Sequence, residues 1–248
     1  GTRADFGKLE PLAAAARAAP PSAEDFASQP AIQSVVMSPS GRRMAILMPA
    51  ADGRVRLGVM DLDPIGPPRV VAAFSDANIT SVHWVSDDRL VFEAFQPGAV
   101  VRQGGAGTFA VNHDASEQVQ LIAWRHFTGR AGSAIESRIL PYGWFYRSSI
   151  DDGSGDILVM RAVHDNSGDL TEIQLSRLNT KTRERRSLNL GIPKGTQSWL
   201  TDRDEQPRVV TARRAGRNKV FWRAAQDGEW LEIADFDPLS EPGFTPRW

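Results

Sequence analysis

The sequence predicts an all-β protein built from repeated four-stranded antiparallel units. From Ala31 onward, short apolar runs that suit strands alternate with turns rich in Asp, Ser and Gly. Each unit begins with a short strand, a polar turn and a second strand, and that second strand opens with arginine in three of four units. The first strands end at Met37, Trp84, Leu140, Trp199 and Trp248, at intervals of 47, 56, 59 and 49 residues. Periods of about 40–50 residues with four strands per unit are typical of β-propeller blades.

The first unit contains the clearest hairpin of the chain, which spans 34–48. An apolar run enters the turn Ser38-Pro39-Ser40-Gly41 and leaves as a second apolar run. Proline at the second turn position presets φ, and glycine at the fourth suits the exit from a type I turn. The predicted strands of this unit are 33–37, 43–48, 55–61 and 69–74.

The other units repeat the same order of strands and turns. The predicted strands are 79–84, 89–95, 108–112 and 119–124 in the second unit, 137–140, 156–163, 170–178 and 185–190 in the third, and 197–200, 208–212, 218–224 and 229–234 in the fourth. Residues 244–248 have the pattern of a first strand in a fifth unit. Four blades and one further strand do not complete a ring of roughly 4–8 blades, so we expect an incomplete part of a larger propeller. A β-sandwich or barrel with irregular loops is the alternative.

Two domains follow from this pattern. Residues 1–30 predict an N-terminal extension with short helices, because apolar residues spaced for one helical face precede Pro20-Pro21 and a capping pattern follows it. Residues 31–248 are predicted to form the blades, at approximately 31–75, 76–125, 133–191 and 195–236, with the next starting at 244.

Composition narrows the range of partners. The chain is 41% hydrophobic and 24% charged with a formal net charge of −1, so no global field favours nucleic acid or an anionic membrane. It has no cysteine, which excludes disulfides, thiolate catalysis and zinc held by cysteine. No apolar run approaches the roughly 18–20 residues that cross a bilayer. We therefore expect neither a nucleic-acid nor a membrane partner.

Several motifs suggest cofactor or metal sites, and each is better interpreted as structural. The string Gly105–Ala110 matches G-x-G-x-x-A, but strand-like residues follow it where a dinucleotide site needs a helix. The turns 151–156 and 165–169 lack the glutamate and helices of an EF-hand. The four histidines are far apart and have no metal-ligand spacing. The prediction is no cofactor and no metal.

Two basic stretches are also interpreted as structural. The first contains Lys181, Arg183, Arg185 and Arg186, and the second contains Arg213, Arg214, Arg217 and Lys219. Both lie at turns or strand starts, where cations protect exposed sheet edges from aggregation.

The aromatic residues provide the one candidate contact site. Trp84, Trp199 and Trp248 share a position in the repeat, which predicts packing between neighbouring blades. An aromatic-rich segment in the third unit falls outside the repeat and is interpreted as an insertion. Its residues Tyr142, Trp144, Phe145 and Tyr146 are the candidate substrate or partner contacts, with buried packing between blades as the alternative.

The hairpins also carry a family resemblance. Residues 36–45 resemble the S-P-D-G-[KR]-x-[LI]-A hairpin of tricorn, TolB-like and prolyl oligopeptidase-type propellers, with Ser40 at the usual Asp position. Residues 82–92 resemble W-x-[SD]-D-[DN]-R-[LI]-[LV], and residues 21–32 resemble the lead-in of bacterial prolyl oligopeptidase family members. Over 21–248 the chain thus resembles the N-terminal propeller of such a serine peptidase, of the acylaminoacyl-peptidase or dipeptidyl-peptidase kind.

This resemblance implies a non-catalytic domain. In the family a C-terminal α/β-hydrolase domain carries a Ser-Asp-His triad, and the propeller caps the active site and admits short peptides. The chain contains no G-x-S-x-G, so we expect the nucleophile beyond residue 248. The implied partners are that catalytic domain and a peptide substrate, in either the bacterial periplasm or the cytoplasm.

Two other functions remain open. The first is a stand-alone propeller of the TolB-like or WD-repeat kind that acts as a protein interaction module. The second is a propeller lyase or glycosidase, which needs convergent carboxylates at the central channel. The paired acids Asp87-Asp88 are predicted in an outer turn, which disfavours this second alternative.

Overall fold

A computed structural model describes residues 32–97, 107–123 and 138–246. Sixteen strands in these ranges form four antiparallel sheets, each made of four strands consecutive in sequence. The first two sheets contain β1 (Ser34–Met37), β2 (Arg43–Pro49), β3 (Val55–Asp61) and β4 (Arg69–Ala72), then β5 (Asn78–Trp84), β6 (Arg89–Phe95), β7 (Gly107–Asn112) and β8 (Val119–Ile122). The last two contain β9 (Trp144–Ser149), β10 (Asp156–His164), β11 (Leu170–Asn179) and β12 (Arg185–Ser187), then β13 (Thr196–Thr201), β14 (Pro207–Arg214), β15 (Arg217–Trp222) and β16 (Leu231–Phe236).

The prediction of an all-β chain with four-stranded antiparallel units is confirmed. No described residue lies in a helix long and apolar enough to span a membrane. Several sequence features fall outside the described residues: the helices expected in 1–30, Gly105-Ala106, Trp124, His126 and Trp248. Residues 237–246 form no strand, so the first strand of a fifth unit stays a prediction.

The first strand of the third sheet was predicted wrongly. Leu140 forms only an isolated parallel bridge with Ile122, and residues 138–140 belong to no sheet. The strand that pairs with β10 is instead β9, which contains most of the aromatic segment. The segment is therefore part of the blade rather than an insertion. Its alternating buried and exposed side chains, from Trp144 to Tyr146, are the period of a strand.

Three apolar clusters hold neighbouring sheets together. Their central residues are Leu47, Leu57, Trp84 and Phe92 between sheets one and two, Val91, Leu121, Trp144 and Ile157 between sheets two and three, and Leu158, Leu175, Trp199 and Phe221 between sheets three and four. Strand β10 contributes Ile157 to one cluster and Leu158 to the next, because successive side chains point to opposite faces. No cluster among the described residues joins sheet four to sheet one, so the row of sheets is not closed.

Each of these clusters contains one buried tryptophan. The indole of Trp84 donates to the carbonyl oxygen of Val36 at 3.0 Å, and that of Trp199 donates to the carbonyl oxygen of Ile173 at 3.0 Å. Their predicted role in packing between blades is confirmed. The prediction that the two tryptophans share one position in the repeat is wrong. Trp84 is the last residue of β5, whereas Trp199 lies two residues before the end of β13.

In the first two sheets, the arginine that opens the second strand connects its sheet to the next. Arg43 pairs with Asp61 of its own sheet, and its Nη1 donates to the carbonyl oxygen of Asp87 in sheet two at 2.8 Å. Arg89, which is 3% exposed, donates to the carbonyl oxygens of Glu117 and Thr180, the latter just beyond β11 in sheet three. Burial lowers the pKa of Arg89, an effect opposed by the charge of Glu117.

In the third and fourth sheets, the charged residue at the start of the second strand forms its ion pair within the same sheet or the preceding turn. Asp156 replaces arginine at the start of β10 and pairs with Arg177 of β11, 3.1 Å away. In the fourth sheet, Arg208 pairs with Asp202 of the preceding turn at 2.6 Å.

Candidate functional site

The aspartate-rich turns are closed by their own side chains, as predicted. Asp152 accepts a hydrogen bond from the backbone N–H of Ser154 at 3.0 Å and pairs with Arg177 at 2.6 Å. Burial alone raises the pKa of Asp152, but the hydrogen bonds from Ser154 and Arg177 outweigh it and lower the pKa to about 2. Asp165 likewise accepts the N–H groups of Ser167 and Asp169. No group of three or more metal-ligating side chains comes together in the described part of the chain.

The described histidines occupy strands or strand ends and form no hydrogen bond with a serine hydroxyl. His83 in β5 stacks on Tyr146 of β9 with ring centroids 4.3 Å apart. His113 follows β7, and its Nδ1 lies 3.4 Å from Asp88 Oδ1. His164 ends β10. These positions show no Ser-His arrangement of a hydrolase within 32–97, 107–123 and 138–246.

The four aromatic candidates differ in accessibility. Trp144 is 4% exposed and lies in the cluster between sheets two and three, which agrees with the packing alternative. Tyr146 is half-buried against His83, and its hydroxyl lies 3.1 Å from Ser149 Oγ. Burial raises the pKa of Tyr146. Tyr142 is half-buried just before β9, and Phe145 is 41% exposed. Phe145 therefore presents the largest accessible aromatic surface of the segment.

A β-bulge in β9 reorients the residue that follows this segment. Ser148 pairs with Leu158 and Tyr146 with Val159, which leaves Arg147 without a partner in the ladder. Bulges redirect side chains and occur often beside functional sites. Arg147 is exposed, and its Nη2 lies 3.3 Å from the carbonyl oxygen of Trp199 in sheet four.

Two cavities are lined in part by residues of the third sheet. The first, which we call the mixed-charge groove, has a volume of about 650 Å³ and is lined by Arg147, Ser148, Thr201, Asp202, Arg203 and Glu205. The second, which we call the basic groove, has a volume of about 470 Å³ and is lined by Arg138, Leu140, Arg183, Glu184 and Arg185. Both volumes lie within the range of small-molecule sites.

The mixed-charge groove offers donors and acceptors side by side. Asp202 is held by Arg208, and Glu205 accepts a hydrogen bond from Thr201 Oγ1 at 2.6 Å. Ser148 Oγ is buried and has no hydrogen-bond partner among the described residues. Arg147 and Arg203 supply guanidinium donors to the same space. This combination suits a polar ligand with amide or carboxylate groups.

The sequence analysis identified the aromatic segment that precedes Arg147, but it did not identify the polar residues that line the mixed-charge groove. Arg147 and Ser148 directly follow the aromatic residues, yet only the strand register reveals the bulge. Glu205 has a backbone φ of 56°, which is a left-handed conformation. No feature of the sequence predicts it.

Sequence comparison finds no matching family model and no matching curated protein. Structural comparison finds similarity to TolB from Acinetobacter baumannii, at 15% identity over 83% of this chain and 44% of that chain, with a TM-score of 0.42. Acylaminoacyl peptidase from Pyrococcus horikoshii is similar at 13% identity over 82% of this chain and 32% of that one, with a TM-score of 0.47. The β-propeller domain of the Trilobed protease from Pyrococcus furiosus is similar at 12% identity over 82% and 58% of the two chains, with a TM-score of 0.47.

The sheets themselves define the class of the protein. Four consecutive four-stranded antiparallel sheets, each packed face to face on the next, are β-propeller blades. The chain spans less than half the length of that TolB and about a third of the acylaminoacyl peptidase.

Proposed function

We propose that this chain is a non-catalytic propeller domain of a prolyl oligopeptidase-like serine peptidase, which caps the active site and restricts access to short peptides. The hairpin at 36–45 carries the proposal, because its S-P-S-G-R-R-M-A string forms the turn between the first two strands of a blade and the start of the second, and resembles the family hairpin. The second hairpin, at 82–92, supports it from the same position in the next blade.

We place the contact with peptide or with the catalytic domain at the surface around β9. Phe145 offers an accessible aromatic ring, and the half-buried Tyr142 lies three residues earlier in the chain. The mixed-charge groove offers guanidinium donors from Arg147 and Arg203 and a carboxylate from Glu205. Guanidinium groups bind peptide carbonyl and carboxylate oxygens, and a carboxylate accepts peptide N–H groups.

Covalent labelling tests the non-catalytic part of the proposal. The purified chain should not react with a serine-directed fluorophosphonate probe, because it lacks a nucleophile elbow. Heat-denatured chain shows the background, and a known serine hydrolase in the same tube shows that the probe is active. Labelling of the native chain above background would contradict the proposal.

The peptidase part is tested on the full-length gene product. Its reading frame should encode G-x-S-x-G after Trp248, and the purified product should cleave a short chromogenic peptide far faster than a folded protein substrate. Equal cleavage of both substrates would contradict the gating role. A stop codon soon after Trp248 would instead favour the stand-alone interaction propeller.

A further inference from the structure

Four of the five methionines of the chain lie on one face of the first sheet. Met37 in β1 is paired with Met44 in β2, and Met44 is paired in turn with Met60 in β3. Residues paired across antiparallel strands project from the same face, so these three side chains form one row, which we call the methionine row. Met48, four residues beyond Met44 in the same strand, projects from this face as well.

The methionine row faces away from the neighbouring sheet. Ala45 and Leu47, which alternate with Met44 along β2, belong to the apolar cluster between sheets one and two. That inner face is packed with side chains that hold no metal-binding atom, whereas the opposite face concentrates thioether sulfur. Met37 is 54% exposed, and Met44 and Met60 are partly exposed. A solute can therefore reach the row from solution.

We propose that the methionine row binds one Cu(I) ion. Thioether sulfur is a soft, polarisable donor that selects Cu(I), whereas Mg²⁺, Ca²⁺ and Mn²⁺ prefer oxygen ligands. Neighbouring strands are about 4.8 Å apart, so Met37 and Met60 flank Met44 at about that distance on either side. A methionine side chain has three rotatable bonds, which let the two outer sulfur atoms lean toward the central one and complete a three-sulfur site.

Other common metals fit this row poorly. Zinc is held by cysteine, histidine and carboxylate ligands, and no group of three or more such side chains comes together in the described part of the chain. The carboxylate of Asp61, which follows Met60, is engaged by Arg43 and Arg69. The sequence prediction of no metal rested on histidine, carboxylate and cysteine ligands, and the row contains none of these. This inference does not depend on the proposed function.

Titration with Cu(I) tests the inference. The purified chain is titrated without oxygen, with ascorbate to keep the copper reduced and bicinchoninate as a coloured competitor that reports free Cu(I). We expect saturable binding of one Cu(I) per chain, because the row offers one set of three sulfur atoms. No saturable binding, or uptake of several ions without a defined endpoint, would overturn the inference.

NMR of the methionine methyl groups shows which residues take part. The probe is Ag(I) in chloride-free buffer, a soft ion of the same charge that needs no reductant. The methyl signals of Met37, Met44 and Met60 should shift on addition of Ag(I), whereas those of Met48 and Met160 should stay in place. Single leucine variants assign each signal by its loss. Equal shifts of all five signals would overturn the assignment to the row.

Double variants locate the site by affinity. M44L/M60L removes two of the three sulfur atoms and nearly keeps the apolar volume, so it should fold and should weaken Cu(I) binding about tenfold or more. M48L/M160L removes the same number of methionines outside the row and should change the affinity less than about twofold. M37L, at the most exposed member of the row, should also weaken binding, which keeps the test decisive if M44L/M60L fails to fold. Equal affinity of M44L/M60L and wild type, or an equal loss in M48L/M160L, would overturn the assignment.

Discussion

Arg89 Nη2 lies 2.6 Å from the carbonyl oxygen of Thr180, so the guanidinium that opens the second strand of one blade is bonded to the backbone of the next blade. Residues 91 positions apart in sequence are thereby joined inside the protein. The same guanidinium also holds Asn112 and the carbonyl of Glu117 in its own sheet. Arg89 is therefore a structural link between blades two and three.

Replacing Arg89 should destabilise the domain strongly. The Arg89→Met variant keeps much of the apolar volume but leaves the carbonyls of Glu117 and Thr180 without their donor. We expect a loss of about 3 kcal/mol in the free energy of unfolding, since removal of one partner from a buried polar network costs this much. Urea denaturation measures it. Arg203→Met, at an exposed position, is the control and should change stability by less than about 0.5 kcal/mol. Equal effects would show that Arg89 is no structural link.

The indole hydrogen bonds between blades should be measurable separately. Trp84→Phe keeps an aromatic ring in the core but removes the donor to Val36, and Trp199→Phe does the same for Ile173. We expect each to lose about 1–2 kcal/mol of unfolding free energy, from the lost hydrogen bond and the smaller ring. Trp222→Phe, on an exposed side chain, should cost clearly less. A loss at Trp222 as large as at Trp84 would contradict this account.

Asp152 should make the domain sensitive to acid. Its pKa is about 2 in the folded chain against an ordinary value of 3.8, so the folded state holds the charged form more strongly than the unfolded state does. The resulting stability is present above about pH 4 and is lost as the pH falls toward 2. The thermal midpoint of wild type should therefore fall more steeply over this range than that of Asp152→Asn. Asp151→Asn, at the exposed neighbouring carboxylate, should keep the wild-type slope. Parallel curves for wild type and Asp152→Asn would refute the prediction.

His83 should titrate below the ordinary histidine range. Burial lowers its pKa, and the nearby charge of Glu93 only partly opposes this. Because the unfolded chain binds the proton more readily, stability should fall as the pH drops below about 6.5. Proton NMR of the imidazole C–H signals measures the titration, and His83→Gln assigns the signal by its loss. A midpoint at or above 6.5 would contradict burial of the ring against Tyr146.

The blade repeat could be predicted from sequence because it depends on local patterns. Alternating apolar runs and turns such as Ser38-Pro39-Ser40-Gly41 determine strands and hairpins over a few residues, and they placed three of the four first strands. The third prediction failed because Leu140 has the apolar character of a strand end but forms only an isolated bridge, with Ile122 at the end of β8 in the second blade. Only the pairing of β9 with β10 shows that β9, and not 137–140, is the first strand of this sheet.

The candidate site was harder to predict, because it depends on which elements meet in space. The aromatic segment was recognised from composition, but its burial depends on the neighbouring sheet. Trp144 packs against that sheet in the core, whereas Phe145 stays accessible. The two grooves combine segments about 40 to 60 residues apart, such as Arg138 with Arg185 and Arg147 with Arg203. No short motif marks such a meeting of distant segments.

Among the described residues, most side-chain donors that cross between blades bond to the main chain of the neighbouring blade. The accepting oxygens belong to Val36, Asp87, Leu170, Ile173, Thr180 and Trp199. A carbonyl oxygen is present whatever side chain the residue carries, so the accepting blade can change its sequence without losing the bond. Each of these six bonds therefore constrains its donor but not the side chain of the residue that accepts it. We therefore expect these hydrogen bonds to persist when an accepting residue is substituted, provided that the donor remains and the backbone keeps its position.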